Sequence, residues 1–267
     1  IGINLNPDKI CNFDCIYCQV DRKTPPTVRR VDAERLEQEL SRMLDLAASE
    51  PLGRLVSFAG APQAYQRLAD VAFSGDGEPT AHPRFTEWID RTGALIAERN
   101  LEIPITLITN ASLFHRPKVR EGLDRLAELG GRVWAKLDAG TEGFYREVDR
   151  TVVPFERVLD NIKQEACRRP IVIQSLFYKL GEQEPPRSEI EAWAQRLADV
   201  IAAGGSISEV QVTTVARRPP RPDVLALSSR KLEEIAETAR KAAPASLVEV
   251  FPARPSQEGN APESSAP

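Results

Sequence analysis

Three of the four cysteines in this 267-residue chain fall within eight positions, Cys11-Asn12-Phe13-Asp14-Cys15-Ile16-Tyr17-Cys18. Their spacing is C-x₃-C-x₂-C. Thiolates so close together in a cysteine-poor chain point to a shared metal site. Three ligands are one short of a structural zinc site or of a cluster fully ligated by cysteine. A cubane iron–sulfur cluster held this way keeps one iron without a protein ligand, and an open position is where metal chemistry happens. The plainer alternative is a zinc knuckle or a chance cluster of thiols.

Further residues with chemistry to offer fall at the ends of predicted strands. Gly75-Asp76-Gly77-Glu78 follows one strand. Its glycines let backbone groups come close to a ligand, and Glu78 places a carboxylate suited to an ammonium group. Without a ligand it is a tight strand-to-helix turn. Thr109-Asn110-Ala111-Ser112 ends the next strand, and Asn110 offers both a donor and an acceptor. Lys136 and Asp138 have the alternate spacing that puts them on one face of a strand. They are either a buried ion pair or a pair that contacts a cofactor, Lys136 at a carboxylate and Asp138 at a ribose hydroxyl.

Farther on, Gln174 and Ser175 are expected to line the interior, with Tyr178 and Lys179 past their strand's end. The strand carrying Gln211, Thr213 and Thr214 could pair its backbone with an adenine. Arg217 and Arg218 could hold an anionic substrate or coat the surface. His82 is expected to start a helix, and Cys167, with no cysteine near it, to be a thiol that is not a ligand. The basic stretch from Gln19 to Arg30 is expected to be a solvated connection, with a lid or substrate contact as the alternative.

The elements that must position these residues alternate. Ile1–Leu5 predicts a strand. Asp32 caps a helix over 33–48 whose apolar stripe is Leu36, Leu40, Met43, Leu44 and Ala47. Residues 50–66 are irregular. A strand over 70–74 leads to a helix opened by Pro83. The pattern continues with strand 103–108, helix 118–129, strand 133–137, helix 155–166 and strand 171–177. A helix capped by a Ser188/Glu191 box follows, then strand 210–215, helix 232–242 and strand 247–251. Strand–helix alternation predicts an α/β fold with a parallel sheet and right-handed crossovers, short of the eight units of a full barrel. Residues 1–251 are expected to form one core domain. The Pro/Ser/Glu-rich stretch 252–267 is expected to be a disordered tail.

Lys and Arg number 35 against 39 Asp and Glu, a formal charge of −4. That balance gives no global signal for nucleic acid or membrane. No apolar run approaches the roughly 18 residues of a membrane span. No stretch has the form of a secretory signal peptide. The first residue is Ile1, so the native N-terminus is expected upstream. The cysteine pattern is not a disulfide framework, and a reducing, cytoplasmic setting is expected.

The octet, with Tyr17 at an aromatic position, resembles the C-x₃-C-x-aromatic-C signature of the radical S-adenosylmethionine superfamily. With FSGDGEPTAHPRF, LITNASL and VWAKLDAGT in that order, the chain is similar to Fe–S oxidoreductases related to wyosine-type tRNA-modifying enzymes, over about residues 1–216. The resemblance implies a partial (β/α)₆ TIM-like barrel, open on one side. It implies a [4Fe–4S] cluster held by Cys11, Cys15 and Cys18, with S-adenosylmethionine chelated at the fourth iron. One electron then cleaves the cofactor and releases a 5′-deoxyadenosyl radical that abstracts hydrogen from a substrate. The cofactor-contact residues implied are Tyr17, Gly75, Gly77, Glu78, Asn110, Lys136 and Asp138. The partners implied are an unidentified small molecule, peptide or RNA and an external one-electron reductant such as flavodoxin or ferredoxin. Wyosine-forming enzymes carry further cysteines for a second cluster, and none stands here. The alternatives are a tRNA-base-modifying enzyme and a non-enzymatic iron–sulfur or zinc module for structure or sensing.

Overall fold

The computed structural model describes residues 1–49, 60, 62, 66–217 and 219–253. The expectations for most of 50–66, for Arg218 and for the tail from 254 onward lie outside the described residues.

Seven parallel strands form one sheet: β1 (Gly2–Ile3), β2 (Val71–Phe73), β3 (Ile105–Thr109), β4 (Arg132–Lys136), β5 (Ile171–Leu176), β7 (Ile207–Thr213) and β9 (Leu247–Phe251), side by side in that order. The edges β1 and β9 do not pair, so the barrel stays open. Helices α1 (Ala33–Ser49), α2 (Phe85–Glu98), α3 (Pro117–Glu128), α5 (Phe155–Arg168), α6 (Arg187–Ala202) and α7 (Ser229–Ala242) follow β1, β2, β3, β4, β5 and β7. This is the expected open α/β barrel of six strand–helix units, with a seventh strand added.

Periodicity explains how these helices seat. In α2, Phe85, Trp88, Ile89, Leu95 and Ile96 are buried on one face. Burial of a large apolar side chain contributes about 1.5–3 kcal/mol each. Asp32 caps α1, accepting from Arg35 N at 3.1 Å, and Leu40 and Leu44 are buried. Met43 is not part of the buried stripe; it is 46 % exposed. It sits beside the 36/40/44/47 line and turns to solvent. The Ser188 box does not form. Pro186 precedes α6 in extended conformation with no side-chain cap, and its fixed φ already sets the entry. Glu191 pairs instead with Arg187 at 2.7 Å.

Two features carry no clear sequence signal. Tyr178–Leu180 (β6) and Val224–Ala226 (β8) form a separate antiparallel ribbon. Glu142–Asp149 (α4) is a short helix between β4 and α5. Thr141 caps it, accepting from Phe144 N at 3.3 Å, and Arg150 ends it at φ 46°. Tyr145 and Val148 face inward from it. Among the described residues no helix is long and apolar enough to cross a membrane.

Candidate functional site

The strand ends at the C-terminal mouth of the barrel surround a cavity of about 670 Å³, within the 300–1,000 Å³ usual for ligand sites. Cys11, Cys15 and Cys18 all line it, with Tyr17, Gly75, Gly77, Glu78, Asn110 and Lys136. Residues called from four separate stretches of sequence thus share one chamber. Among the described residues no three His, Cys, Asp or Glu side chains close around a single metal ion. The three thiols instead share the lining of one cavity.

The octet is held from two sides. Phe13 is buried edge-on against Tyr145 of α4, with ring centroids 5.8 Å apart. Asp14 N and Ile16 N donate to the carbonyls of Asp149 and Val148 at 3.0 and 2.9 Å. Thr151 Oγ1 donates to Asn12 O at 2.7 Å, and the Cys15 thiol donates to Asp149 Oδ1 at 3.2 Å. From the other side, Asn110 Nδ2 donates to Asn12 Oδ1 at 2.8 Å, and Asn12 Nδ2 to Ser112 Oγ at 2.8 Å. Asn110 therefore faces the cavity while its amide ties the end of β3 to the cysteine loop.

The glycine turn is shaped by the same packing. A Cβ on Gly77 would stand 2.1 Å from Ile10 O and 2.5 Å from Asn6 Cβ. One on Gly75 would stand 2.4 Å from Asn4 Oδ1. From the sequence, these glycines are expected to let a ligand approach closely. The structure shows a further reason: the chain entering the cysteine loop lies directly against them. Glu78 is 2 % exposed. It accepts from Thr80 N at 3.1 Å, Thr80 Oγ1 at 2.5 Å, Thr109 Oγ1 at 2.6 Å and Asn110 N at 2.8 Å. Its carboxylate fastens the turn to the end of β3. Burial pushes the Glu78 carboxyl up, and its four donors offset this only in part. Asp76 accepts from Asn4 Nδ2 at 2.9 Å.

Lys136 and Asp138 do pair, at 3.4 Å. Asp138 also accepts from Tyr17 Oη and from Leu176 N, the latter at 2.7 Å. The Lys136 ammonium lies 5.2 Å from the centre of the Tyr17 ring, within reach of a cation–π contact. Burial would lower the Lys136 ammonium, but Asp138, Cys15 and Asp149 outweigh it and raise it. Asp138 does not line the main cavity. It sits behind the wall in a void of about 20 Å³ with Asp149 and Tyr145. The turn after Asp138 is pinned by α6: Glu189 accepts from Gly140 N and Thr141 Oγ1 at 2.5 and 2.6 Å.

Other expected residues separate. Gln174 lines the cavity and donates to Gln211 at 2.8 Å. Ser175 does not line the interior. It faces α6, donating to Leu137 O at 2.6 Å and accepting from Trp193 Nε1 at 3.0 Å. Adjacent strand residues point to opposite faces. Thr214 and Arg217 reach the cavity. Tyr178 belongs to β6, stacked on Phe144. His82 Nδ1 accepts from Arg84 N at 3.2 Å, a helix-start contact. Cys167 is exposed, with its thiol on Ala203 O.

The stretch Gln19–Arg30 is not simply a solvated connection. Lys9 Nζ donates to Asp21 O and Thr24 O at 2.5 and 2.9 Å, folding the loop back. Gln19, Val20 and Arg22 line the cavity, while Lys23, Arg29 and Arg30 are exposed. Arg22, Asp149, Thr151 and Glu189 are the site residues that sequence reasoning missed. Only Thr141, a cap ahead of inward-facing Tyr145 and Val148, could have flagged α4 and so Asp149.

Cys11 and Cys15 do not have the lowered values of reactive thiols. Burial pushes Cys11 up; burial, then Asp149 and Asp138, push Cys15 well up. Burial, then repulsion from Asp138, takes Asp149 to about 8. Catalytic thiols have lowered values. Buried thiols of this kind become ligands when a metal's charge displaces their protons. Three soft donors among the lining of one cavity of about 670 Å³ fit an iron–sulfur cluster with an open iron.

The model of the Radical SAM superfamily matches residues 5–184. A UPF0026 protein of Methanocaldococcus jannaschii is 28% identical over 187 residues, 67% of this chain and 51% of that protein. A UPF0026 protein of Helicobacter pylori is 26% identical over 170 residues, 63% of this chain and 46% of that one. The chain thus spans about half the length of these curated relatives. Among solved structures, "Structure of TYW1 with a lysine-pyruvate adduct bound" has a TM-score of 0.53 at 16% identity, covering 87% of this chain and 70% of that one. "Native anSMEcpe with bound AdoMet and Kp18Cys peptide" has a TM-score of 0.52 at 15% identity, covering 90% and 59%. These likenesses show the fold.

Proposed function

Because the chain belongs to the Radical SAM superfamily, whose enzymes use a [4Fe–4S] cluster and S-adenosylmethionine, we propose that Cys11, Cys15 and Cys18 hold one such cluster at the barrel mouth. The observation that carries this is the sharing of one cavity by the three thiols, the Gly75–Glu78 turn, Asn110 and Lys136. When bound, the cluster and cofactor supply reductive cleavage of the sulfonium to methionine and a 5′-deoxyadenosyl radical that takes hydrogen from the substrate.

The chain's own residues bind and orient. The Gly75–Glu78 turn lines the chamber, where its backbone would hold the cofactor's amino group, while the Glu78 side chain keeps the turn in shape. Lys136 offers a cation for a carboxylate. Asp138 fixes Lys136 and Tyr17 from behind the wall, so its part in cofactor binding is exerted through them. Thr214, just past the end of β7, also lines the cavity and would suit the nucleoside. Residues 1–251 act as one core, in a reducing, cytoplasmic setting, with an external one-electron donor such as flavodoxin or ferredoxin.

The substrate is left open among small molecules, peptides and RNA. The TYW1 structure holds a lysine–pyruvate adduct. Among the described residues Lys136 is the cavity's lysine, and Asp138 holds it as an ammonium. An ammonium cannot add to a carbonyl, so an adduct at Lys136 is disfavoured. An RNA substrate would require binding that weakens with salt.

The test is anaerobic reconstitution with iron and sulfide, reduction, and electron paramagnetic resonance with and without S-adenosylmethionine. A spectrum that changes with the cofactor, together with 5′-deoxyadenosine formation, is expected. A cluster indifferent to the cofactor, or tight zinc in place of iron, would return the site to a structural or sensing role.

A further inference from the structure

Each of the three cysteine sulfurs has one polar side chain beside it, and each comes from a different element. Asn110 Nδ2 lies 3.9 Å from Cys11 Sγ, Asp149 Oδ1 lies 3.2 Å from Cys15 Sγ, and Arg22 Nη2 lies 3.8 Å from Cys18 Sγ. The set is asymmetric: a neutral amide, a carboxyl group and a cation. Arginine keeps its charge at any pH a protein survives.

Arg22 is placed with care. Its Nη1 donates to Lys9 O, two residues before Cys11. Its side chain lines the cavity and is only 25% exposed. The acid nearest it, Asp14, stands 4.0 Å from Nε and is 63% exposed, so the pair is weak. Nε is buried without a hydrogen-bond partner. A charged donor left this way is costly unless an anion comes to it. At the other end of the guanidinium, Nη2 is the atom 3.8 Å from Cys18 Sγ, so a negatively charged ligated sulfur would meet the arginine's charge there.

We propose that Arg22 is a positioning residue that raises the reduction potential of the cluster through the sulfur of Cys18. The inference rests on the assignment of the three cysteines as cluster ligands. Reduction adds one negative charge to the cluster. A fixed cation at a ligand sulfur stabilises the reduced form more than the oxidised one. Hydrogen bonds to sulfur and net charge set iron–sulfur potentials, and residues beyond the ligands tune metal sites strongly.

The experiment is a potentiometric titration of reconstituted protein without S-adenosylmethionine. It is followed by electron paramagnetic resonance of the reduced cluster, with iron counted per chain. Wild type, Arg22→Gln, Arg22→Lys and, as a control on the same loop, Arg29→Gln are compared. At the potential that half-reduces wild type, Arg22→Gln is expected to lower the reduced-to-oxidised ratio about tenfold, equivalent to 59 mV for one electron. Arg22→Lys, which keeps the charge, should stay close to wild type, and Arg29→Gln should match it. A loaded Arg22→Gln protein with the wild-type midpoint would overturn the proposal. If Arg22→Gln takes up no iron, Arg22→Lys decides: a loaded cluster at the wild-type midpoint supports the role, and failure to load reduces Arg22 to a clamp on Lys9. A wild-type protein that forms no such cluster fails at an earlier step and refutes the ligand assignment itself.

Discussion

The thiol of Cys15 donates to Oδ1 of Asp149 at 3.2 Å, joining residues 134 positions apart in the chain. With the carbonyls of Val148 and Asp149 on Ile16 N and Asp14 N, and Thr151 on Asn12 O, the end of α4 and the turn after it hold residues 12–16 of the cysteine octet. The octet has no regular structure of its own, so its shape is borrowed from these contacts.

Thr151→Val should loosen that grip without touching a ligand. It removes the donor to Asn12 O and the acceptor for Val153 N. A loss of about 1 kcal/mol is expected, seen as a melting temperature lower by roughly 2–4 °C. Iron should leave faster under a chelator. An unchanged rate of iron loss would show that the loop does not depend on Thr151.

Gly77→Ala should be far worse than its chemistry implies. The new methyl would meet backbone, Ile10 O, at 2.1 Å, and backbone cannot turn aside. Overpacking of this kind costs about 1–3 kcal/mol, and cluster content should fall with it. Gly143→Ala is the contrast: nothing lies within 4 Å of its Cβ position inside α4. That change should stabilise by about 0.5–1 kcal/mol. Equal melting temperatures for the two variants would contradict the packing argument.

Cys11→Ala, Cys15→Ala and Cys18→Ala should each abolish formation of 5′-deoxyadenosine. Cys167→Ala, at an exposed thiol away from the cavity, should leave turnover and iron content at wild-type levels. Turnover retained by any of the first three, with contaminating enzyme excluded, would sink the ligand assignment.

Glu78 makes stability depend on pH. Its folded-state pKa is raised, chiefly by burial. Its contribution is therefore fully present below the ordinary glutamate value of about 4.3, and is lost as pH rises through the raised value. Glu78→Gln should flatten that slope in denaturant titrations. It should also cost about 1–3 kcal/mol, because an amide nitrogen would face the Asn110 N–H that now donates to Oε2. A slope the same as wild type would mean that Glu78 does not titrate in this range.

The octet, the strand-end residues and the alternation of strands with helices were all legible, because each depends on local spacing. What was missed depends on distance in the chain. Asp149 and Thr151 matter only because the fold carries them to residues 12–16. Arg22 lies inside a charge run whose commonest fate is solvent, and the cavity is visible only once β7 and the cysteine loop are both placed. The Ser188 box had the right letters, but Pro186 had already set the entry of α6. Ser175 was misplaced by treating two neighbours on a strand as sharing a face. Glu78 and Gly77 are expected at a ligand turn and do line the cavity, yet much of their chemistry is spent on protein.

The supports of the cysteine loop also set a timetable. Cys11 to Cys18 leave the ribosome before their supports, since Asn110 and Asn12 meet across 98 residues and Cys15 and Asp149 across 134. Closing loops of that length is entropically costly and comes late. A nascent chain therefore shows its thiols long before it can shape them. Metal delivered before α4 has docked would meet a floppy peptide open to any thiophilic ion, and the proposed cluster would mature after the first four strands have assembled.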